Sequence, residues 1–155
     1  VTGVQTCALP ICMAYKILLV DDEKRACDYF GKTILKKTGE DYDYNVSKVY
    51  SGLSTVDMIA LEKFDVVLLD IIMPGIDGLE TLRRIRIIDK HVIVVMLTSV
   101  ANELLAKVCL TKGANDYLTK PVNIDYLMSV ALPVYCTLRG KEYFADNYNE
   151  IEAKS

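Results

Sequence analysis

Three aspartates, a threonine and a lysine stand where short apolar runs end, and their types suit phosphoryl transfer. Lys16–Val20 leads into Asp21-Asp22, Asp65–Leu69 into Asp70, Val92–Leu97 into Thr98-Ser99, and Asp116–Thr119 into Lys120-Pro121. In a parallel sheet wound with helices on both faces, ligands bind outside the carboxyl ends of the strands. Such a fold gathers all five residues at one place. Carboxylates ~5 Å apart repel pairwise by about 3 kcal/mol at an effective dielectric near 20, so the cluster demands a cation. An all-oxygen ligand set suits Mg2+, which takes one or two carboxylates and shares the rest of its shell with water and phosphate. Asp22 and Asp70 would bind it directly and Asp21 through water. The free oxygen of Asp70 is then the nucleophile toward an in-line phosphoryl group, giving an aspartyl phosphate. Lys120 would pair with one phosphoryl oxygen and Thr98 would donate its hydroxyl to another, so that positioning and charge neutralisation carry the step. Each residue alone has a commoner structural use. Asp21 or Asp22 suits a helix cap, Asp70 or Thr98 suits a turn, and Lys120 suits a solvated surface. Their joint placement at four strand ends favours the chemistry.

The elements that must position these groups alternate along the chain, short apolar runs with stretches of helical spacing, the pattern of repeated strand-helix units in an α/β fold. Ala26, Phe30 and Ile34 predict a first helix that stops at Gly39. Tyr44–Tyr50 reads as a second strand, followed by a helix through Val56, Ile59 and Ala60 that ends near Phe64. The run Val66–Leu69 has no polar face and reads as a strand buried on both sides. Asp77 with Glu80 predicts a capping box for a helix through Leu82, Ile85 and Ile88. A fourth helix carries Leu105, Val108 and Cys109 to a stop at Gly113. Asn123 caps a fifth, with Leu127, Val130, Ala131 and Val134 as its apolar face and Pro133 removing one backbone bond at a cost of ~3 kcal/mol. Five strands and five helices result.

A length of 155 residues suits one domain with a real core. The net charge of -3 gives no general affinity for nucleic acid or anionic membrane. No stretch has the length of a transmembrane span. Five cysteines, at 7, 12, 27, 109 and 136, form no CxxC pair and indicate neither zinc nor a disulfide framework, so a cytoplasmic setting is expected. Back-translation of residues 1–11 resembles a sequencing-adapter oligonucleotide, so residues 1–12 read as an assembly scar with Met13 the natural start. The domain is then expected over 13–139. Residues 140–155 are polar and mixed in charge apart from Tyr143, Phe144, Tyr148 and Ile151, and read as a helical extension or tail. His91, the single histidine, reads as ordinary surface, and Arg83, Arg84 and Arg86 as the solvated face of their helix.

Four blocks carry a resemblance: Ile17-Leu-Leu-Val-Asp-Asp-Glu23, Val67-Leu-Leu-Asp-Ile-Ile-Met-Pro-Gly-Ile-Asp-Gly78, Met96-Leu-Thr-Ser99 and Gly113-Ala-Asn-Asp-Tyr-Leu-Thr-Lys-Pro121. In this order the chain resembles the receiver domain of bacterial two-component response regulators, from Met13 to about Leu138. The resemblance implies a doubly wound, flavodoxin-like (βα)5 fold with strand order 2-1-3-4-5. It implies Asp70 as phosphoacceptor, Asp21 and Asp22 as the acidic metal pair, the Ile72 backbone carbonyl as a further Mg2+ ligand, and Lys120 as the phosphate-contacting lysine. Thr98 and Tyr117 would be the switch pair, and Lys120-Pro121 would be cis. A sensor histidine kinase or phosphotransfer protein would donate the phosphoryl group. A downstream effector protein would read the surface around the fourth helix, fifth strand and fifth helix, and a homodimer could form on phosphorylation. Ile72 and Val100, apolar where many relatives are polar, cannot orient an attacking water and imply a long phosphoryl lifetime.

Rival readings fit less well. A flavodoxin-like electron carrier needs a hydroxyl- and glycine-rich phosphate loop where this chain has Asp21-Asp22-Glu23. A dehalogenase-type phosphatase has a second acid where Ile72 stands. A phosphorylation-independent interaction module is the remaining alternative, disfavoured by the complete set of Asp21, Asp22, Thr98 and Lys120.

Overall fold

The computed structural model describes residues 14–37 and 43–139. The expected adapter scar with its Met13 start, the expected helix stop at Gly39 and the expected extension over 140–155 lie outside the described residues. Within them the elements alternate without exception: β1 (Ala14–Val20), α1 (Lys24–Lys36), β2 (Asp43–Val49), α2 (Gly52–Leu61), β3 (Val66–Asp70), α3 (Gly78–Ile88), β4 (Ile93–Thr98), α4 (Glu103–Thr111), β5 (Asp116–Thr119) and α5 (124–139).

The strands form one parallel sheet in the order β2-β1-β3-β4-β5, as the resemblance implied. Every residue of β3 and β4 is buried, which explains why both are apolar up to their last residues, Asp70 and Thr98, and lack the alternation of a half-exposed strand. Successive side chains enter opposite cores. Ile17, Leu19, Leu68 and Val95 meet Cys27 and Ile34 of α1 and Leu127 and Leu132 of α5. Leu18, Val67, Leu69 and Met96 meet Ile59 of α2, Leu82 and Ile85 of α3, and Cys109 of α4. The register sets Val20 beside Leu69, Asp70 beside Leu97, and Thr98 beside Thr119, so the strand ends fall level at one rim.

Helix starts follow their polar residues. Ser51 accepts from the Ser54 amide at 3.1 Å, Asp77 from Glu80 at 2.9 Å, Asn102 from Leu104 at 2.9 Å and Asn123 from Tyr126 at 3.0 Å. The expected box at Asp77 is only half made, because the Glu80 carboxylate is held by Arg83 and Arg84 instead.

Some expected faces are wrong. Ala60 and Ile88, which the spacing placed on the apolar faces of their helices, are exposed. In α5 the buried residues are Leu127, Met128, Ala131, Leu132, Tyr135 and Cys136, while Val130 and Val134 are half exposed. The cause is a wide π turn over Leu127–Ala131, in which the Leu132 amide reaches back five residues to the Leu127 carbonyl. It ends directly before Pro133, whose ring cannot donate. Arg86 is no solvated side chain either. Its guanidinium donates to the carbonyls of Gly113 at 2.8 Å and Val92 at 2.6 Å, and to Asn115 Oδ1 at 2.8 Å. Gly113, at φ 106°, ends α4 in a left-handed turn that points its carbonyl to this arginine.

Candidate functional site

At the level rim, Asp21 and Asp22 follow β1 and Asp70 ends β3. The N-cap of α1 is Glu23, so neither aspartate occupies the capping position. Asp21 turns one oxygen back to the Glu23 amide at 2.9 Å and keeps the other for Lys120. One oxygen from each of the three carboxylates lies within 4.8 Å of the others. Asp70 is only 7% exposed. The loop after it is held close by α3, whose Gly78 amide donates to the Ile71 carbonyl at 2.8 Å. A Cβ on Gly78 would stand 2.3 Å from the Asp70 carbonyl oxygen, so only glycine allows this approach.

Lys120 reaches the cluster from the far side of the sheet. Its ammonium bonds Asp21 Oδ2 at 2.7 Å and stands 3.4 Å from Asp70 Oδ2. Burial raises the pKa of the Asp70 carboxyl; the Lys120 charge pulls it down and the Asp21 charge adds to the rise, leaving it above the usual range. For Lys120, burial works against the charged form. The hydrogen bond to Asp21 and the Asp70 charge outweigh it, so its pKa is raised and it stays an ammonium. One ammonium against three carboxylates leaves two negative charges uncompensated among oxygen donors. That deficit and donor set fit a divalent hard cation such as Mg2+.

Thr98, fully buried, ends β4, and its Oγ1 accepts the Val100 amide at 3.1 Å. Its carbonyl accepts the Lys120 amide at 2.6 Å, which fixes the lysine backbone beside the threonine. Tyr117, half-buried on β5, donates its hydroxyl to the Val100 carbonyl at 2.5 Å. Val100 therefore links the hydroxyl and the aromatic ring through its two backbone groups. No residue type or spacing announced that link. Ile72 lies two residues beyond Asp70, its amide 3.4 Å from Asp70 Oδ1 and its side chain 62% exposed. The Lys120-Pro121 bond is cis. Sequence reasoning also missed the Asp21–Lys120 pair and the closeness of Gly78, since a side chain's partner and a missing side chain leave no periodic signal.

A parallel sheet in this order with an acidic cluster and a lysine at its carboxyl rim defines a doubly wound α/β domain with a charged site at its strand ends. The chain belongs to the response regulator receiver domain family, whose profile matches residues 17–131. It is 25% identical to a two-component response regulator from Clostridium difficile, with a TM-score of 0.68 over 74% of this chain and 90% of that one. It is 30% identical to NtrX from Brucella abortus, with a TM-score of 0.74, covering 88% of this chain and 30% of that one. A CheY-like receiver domain protein from Methanospirillum hungatei JF-1, at 22% identity, shares the fold with a TM-score of 0.72 over 83% of this chain and 99% of that one. Membership places the chain in phosphorylation-based two-component signalling, where a receiver catalyses only its own phosphoryl transfer. Among the described residues no helix is long and apolar enough to cross a membrane.

Proposed function

We propose that Asp70 accepts a phosphoryl group from a sensor histidine kinase or phosphotransfer protein, and that the modified domain presents an altered surface to a downstream effector protein. The observation that carries this reading is the three-carboxylate cluster with Lys120 set between Asp21 and Asp70. Asp21, Asp22, Asp70 and the Ile72 carbonyl would hold Mg2+, which when bound neutralises charge on the carboxylates and on phosphoryl oxygens.

The chain's own residues do the rest. Asp70 attacks phosphorus through a carboxylate oxygen; a P–O bond forms as the bond to the donor breaks, and the leaving group departs with that electron pair. Lys120, already 3.4 Å from Asp70, pairs with a phosphoryl oxygen of the product. Thr98 turns its hydroxyl to another phosphoryl oxygen and so releases the Val100 amide. Because Val100 also holds the Tyr117 hydroxyl, loop and ring move together. The result is a population shift biased by contacts made in one state only. Tyr117 joins this shift to the surface of α4, β5 and α5. A cleft of about 580 Å3 beside the site, lined by Ala26, Tyr29, Phe30, Val122 and Ile124 with Lys120 in its wall, suits the apolar side chains of a protein donor. Ile72 and Val100, both exposed, offer no polar group to orient water for hydrolysis.

Intact mass after incubation with acetyl phosphate tests the reading. A single phosphoryl adduct that requires Mg2+ and is lost in Asp70→Asn is expected. The absence of any adduct in wild-type protein would favour the phosphorylation-independent interaction module.

A further inference from the structure

We infer that Asp116 and Tyr135 are positioning residues of the switch, the Asp116 carboxylate tying the backbone of Tyr117 to helix α5 on the other face of the sheet. The inference rests on the reading of Tyr117 as a group that moves, and it names the path by which that motion reaches α5. Asp116 and Tyr117 are neighbours on β5, both half-buried, and successive strand residues face opposite ways. Tyr117 packs against the core that contains Ile59, Leu82 and Cys109, and its hydroxyl is held by the Val100 carbonyl. Asp116 turns to the α5 side. There one carboxylate oxygen accepts the hydroxyl of Tyr135, and the other accepts the amide of Tyr117 at 2.7 Å. A single carboxylate thus holds the switch residue by its backbone and α5 by a side chain. The other polar ties of α5 lead away from β5, Asp125 to Lys37 after α1 and Arg139 to the Phe64 carbonyl before β3. Among the described residues no second hydrogen bond joins α5 to β5.

The helix is shaped to reach this partner. Tyr135 is 6% exposed, and a phenol so deep needs an acceptor. Burial and the bond to the Asp116 carboxylate hold its pKa well above the ordinary value, so the hydroxyl stays protonated and donates. In a regular helix Tyr135, eight residues beyond Leu127, would point about 80° away from it, and Val134 would take the sheet side. The π turn over Leu127–Ala131 takes up one extra residue and so returns about 100°, which brings Tyr135 to the side of Leu127. Leu127, Ala131 and Tyr135 are accordingly all buried at steps of four, while Val134 is half exposed. The widened turn therefore delivers the phenol to Asp116. When the Tyr117 hydroxyl leaves the Val100 carbonyl and the ring turns, its amide and the Asp116 carboxylate shift together, and Tyr135 carries the shift into α5.

Amide resonances of the full-length, nitrogen-15-labelled protein test the tie without a phosphodonor. Tyr117→Phe removes only the hydroxyl held by Val100, and it should shift the amides of Leu132, Tyr135 and Cys136 as well as that of Val100. In a Tyr135→Phe background the Val100 amide should shift as before and the α5 response should be lost. Asp116→Asn is an independent variant, with one acceptor oxygen for two donors, and should lose the α5 response too. A merely structural role for the Tyr135 hydroxyl predicts no such loss. Amides of α5 that stay still on Tyr117→Phe alone, or that move equally with and without the Tyr135 hydroxyl, would overturn the inference. Acetyl phosphate with Mg2+ separates this inference from the reading beneath it. An adduct that shifts α5 in wild type and not in Tyr135→Phe supports both, whereas a missing adduct sinks the phosphoacceptor reading and the Tyr117→Phe comparison still decides the tie.

Discussion

Two aspartates in this domain are almost equally hidden and oppositely treated. Asp70 is 7% exposed and Asp89 is 6% exposed, yet the fold raises the pKa of the first and lowers that of the second. Burial pushes both upward. At Asp89, one carboxylate oxygen accepts amides from His91 at 2.8 Å and Val92 at 3.0 Å, and Lys63 and Arg139 add positive charge, which together overcome it. At Asp70 the nearest amide stands 3.4 Å away, and Lys120 is shared with Asp21. The fold satisfies the carboxylate that ends a helix and leaves underprovided the one that would react. A nucleophile already saturated with donors would have less reason to accept a cation or a phosphoryl group.

The difference is open to direct attack. Asp89→Ala removes a charged acceptor from two amides, one of them buried, and should cost about 3 kcal/mol in urea unfolding. A loss below about 1 kcal/mol would mean that water replaces the carboxylate, and the contrast between the two sites would fail. Next in size is the response to metal. With Mg2+ at a hundredfold excess over its Kd, wild type should gain about 2.7 kcal/mol, and Asp22→Asn at the same concentration should gain much less. Equal shifts in thermal melts of the two proteins would remove Asp22 from the ligand set. The smallest effect should have the opposite sign to the first. Without Mg2+, Asp70→Asn should stabilise the fold at pH 7, on the order of 1 kcal/mol, by relieving repulsion that Lys120 only partly cancels.

These two carboxylates also give opposite pH dependences. Because the folded pKa of Asp70 is raised, its ionisation weakens the fold above the unfolded value, and the advantage of Asp70→Asn should fade as the pH falls through the raised folded value and be gone below about 4. The folded pKa of Asp89 is lowered. Its contribution is present above the unfolded value and is lost as the pH falls through the folded one. Denaturation of the two single variants from pH 3 to pH 7 reads both signs.

Sequence reading succeeded where the information was local. Apolar runs ending in polar residues gave β1, β3, β4 and β5 nearly to the residue, and the level rim followed from a parallel sheet, whose strand ends gather. It failed where one residue changed the geometry of others. Spacing alone put Val130 and Val134 in the core, because a regular turn was assumed just before Pro133, where the helix widens instead. Arg86 read as solvated since Gly113 and Asn115 lie far along the chain, and two of its acceptors, Val92 and Gly113, offer only the carbonyl that every residue carries. The role of Val100 was invisible for the same reason. Backbone groups have no sequence signature.

Arg86 has a consequence at the opposite rim. One guanidinium fastens the end of α3 to the approach of β4 and the turn before β5, and Asn115 adds bonds to both backbone groups of Val94. The amino ends of these strands are thus cross-braced while the carboxyl ends carry the exposed loops. Under the proposed reading, a disturbance introduced at Asp70 would have little slack to relax into below and would be steered outward along β4 and β5.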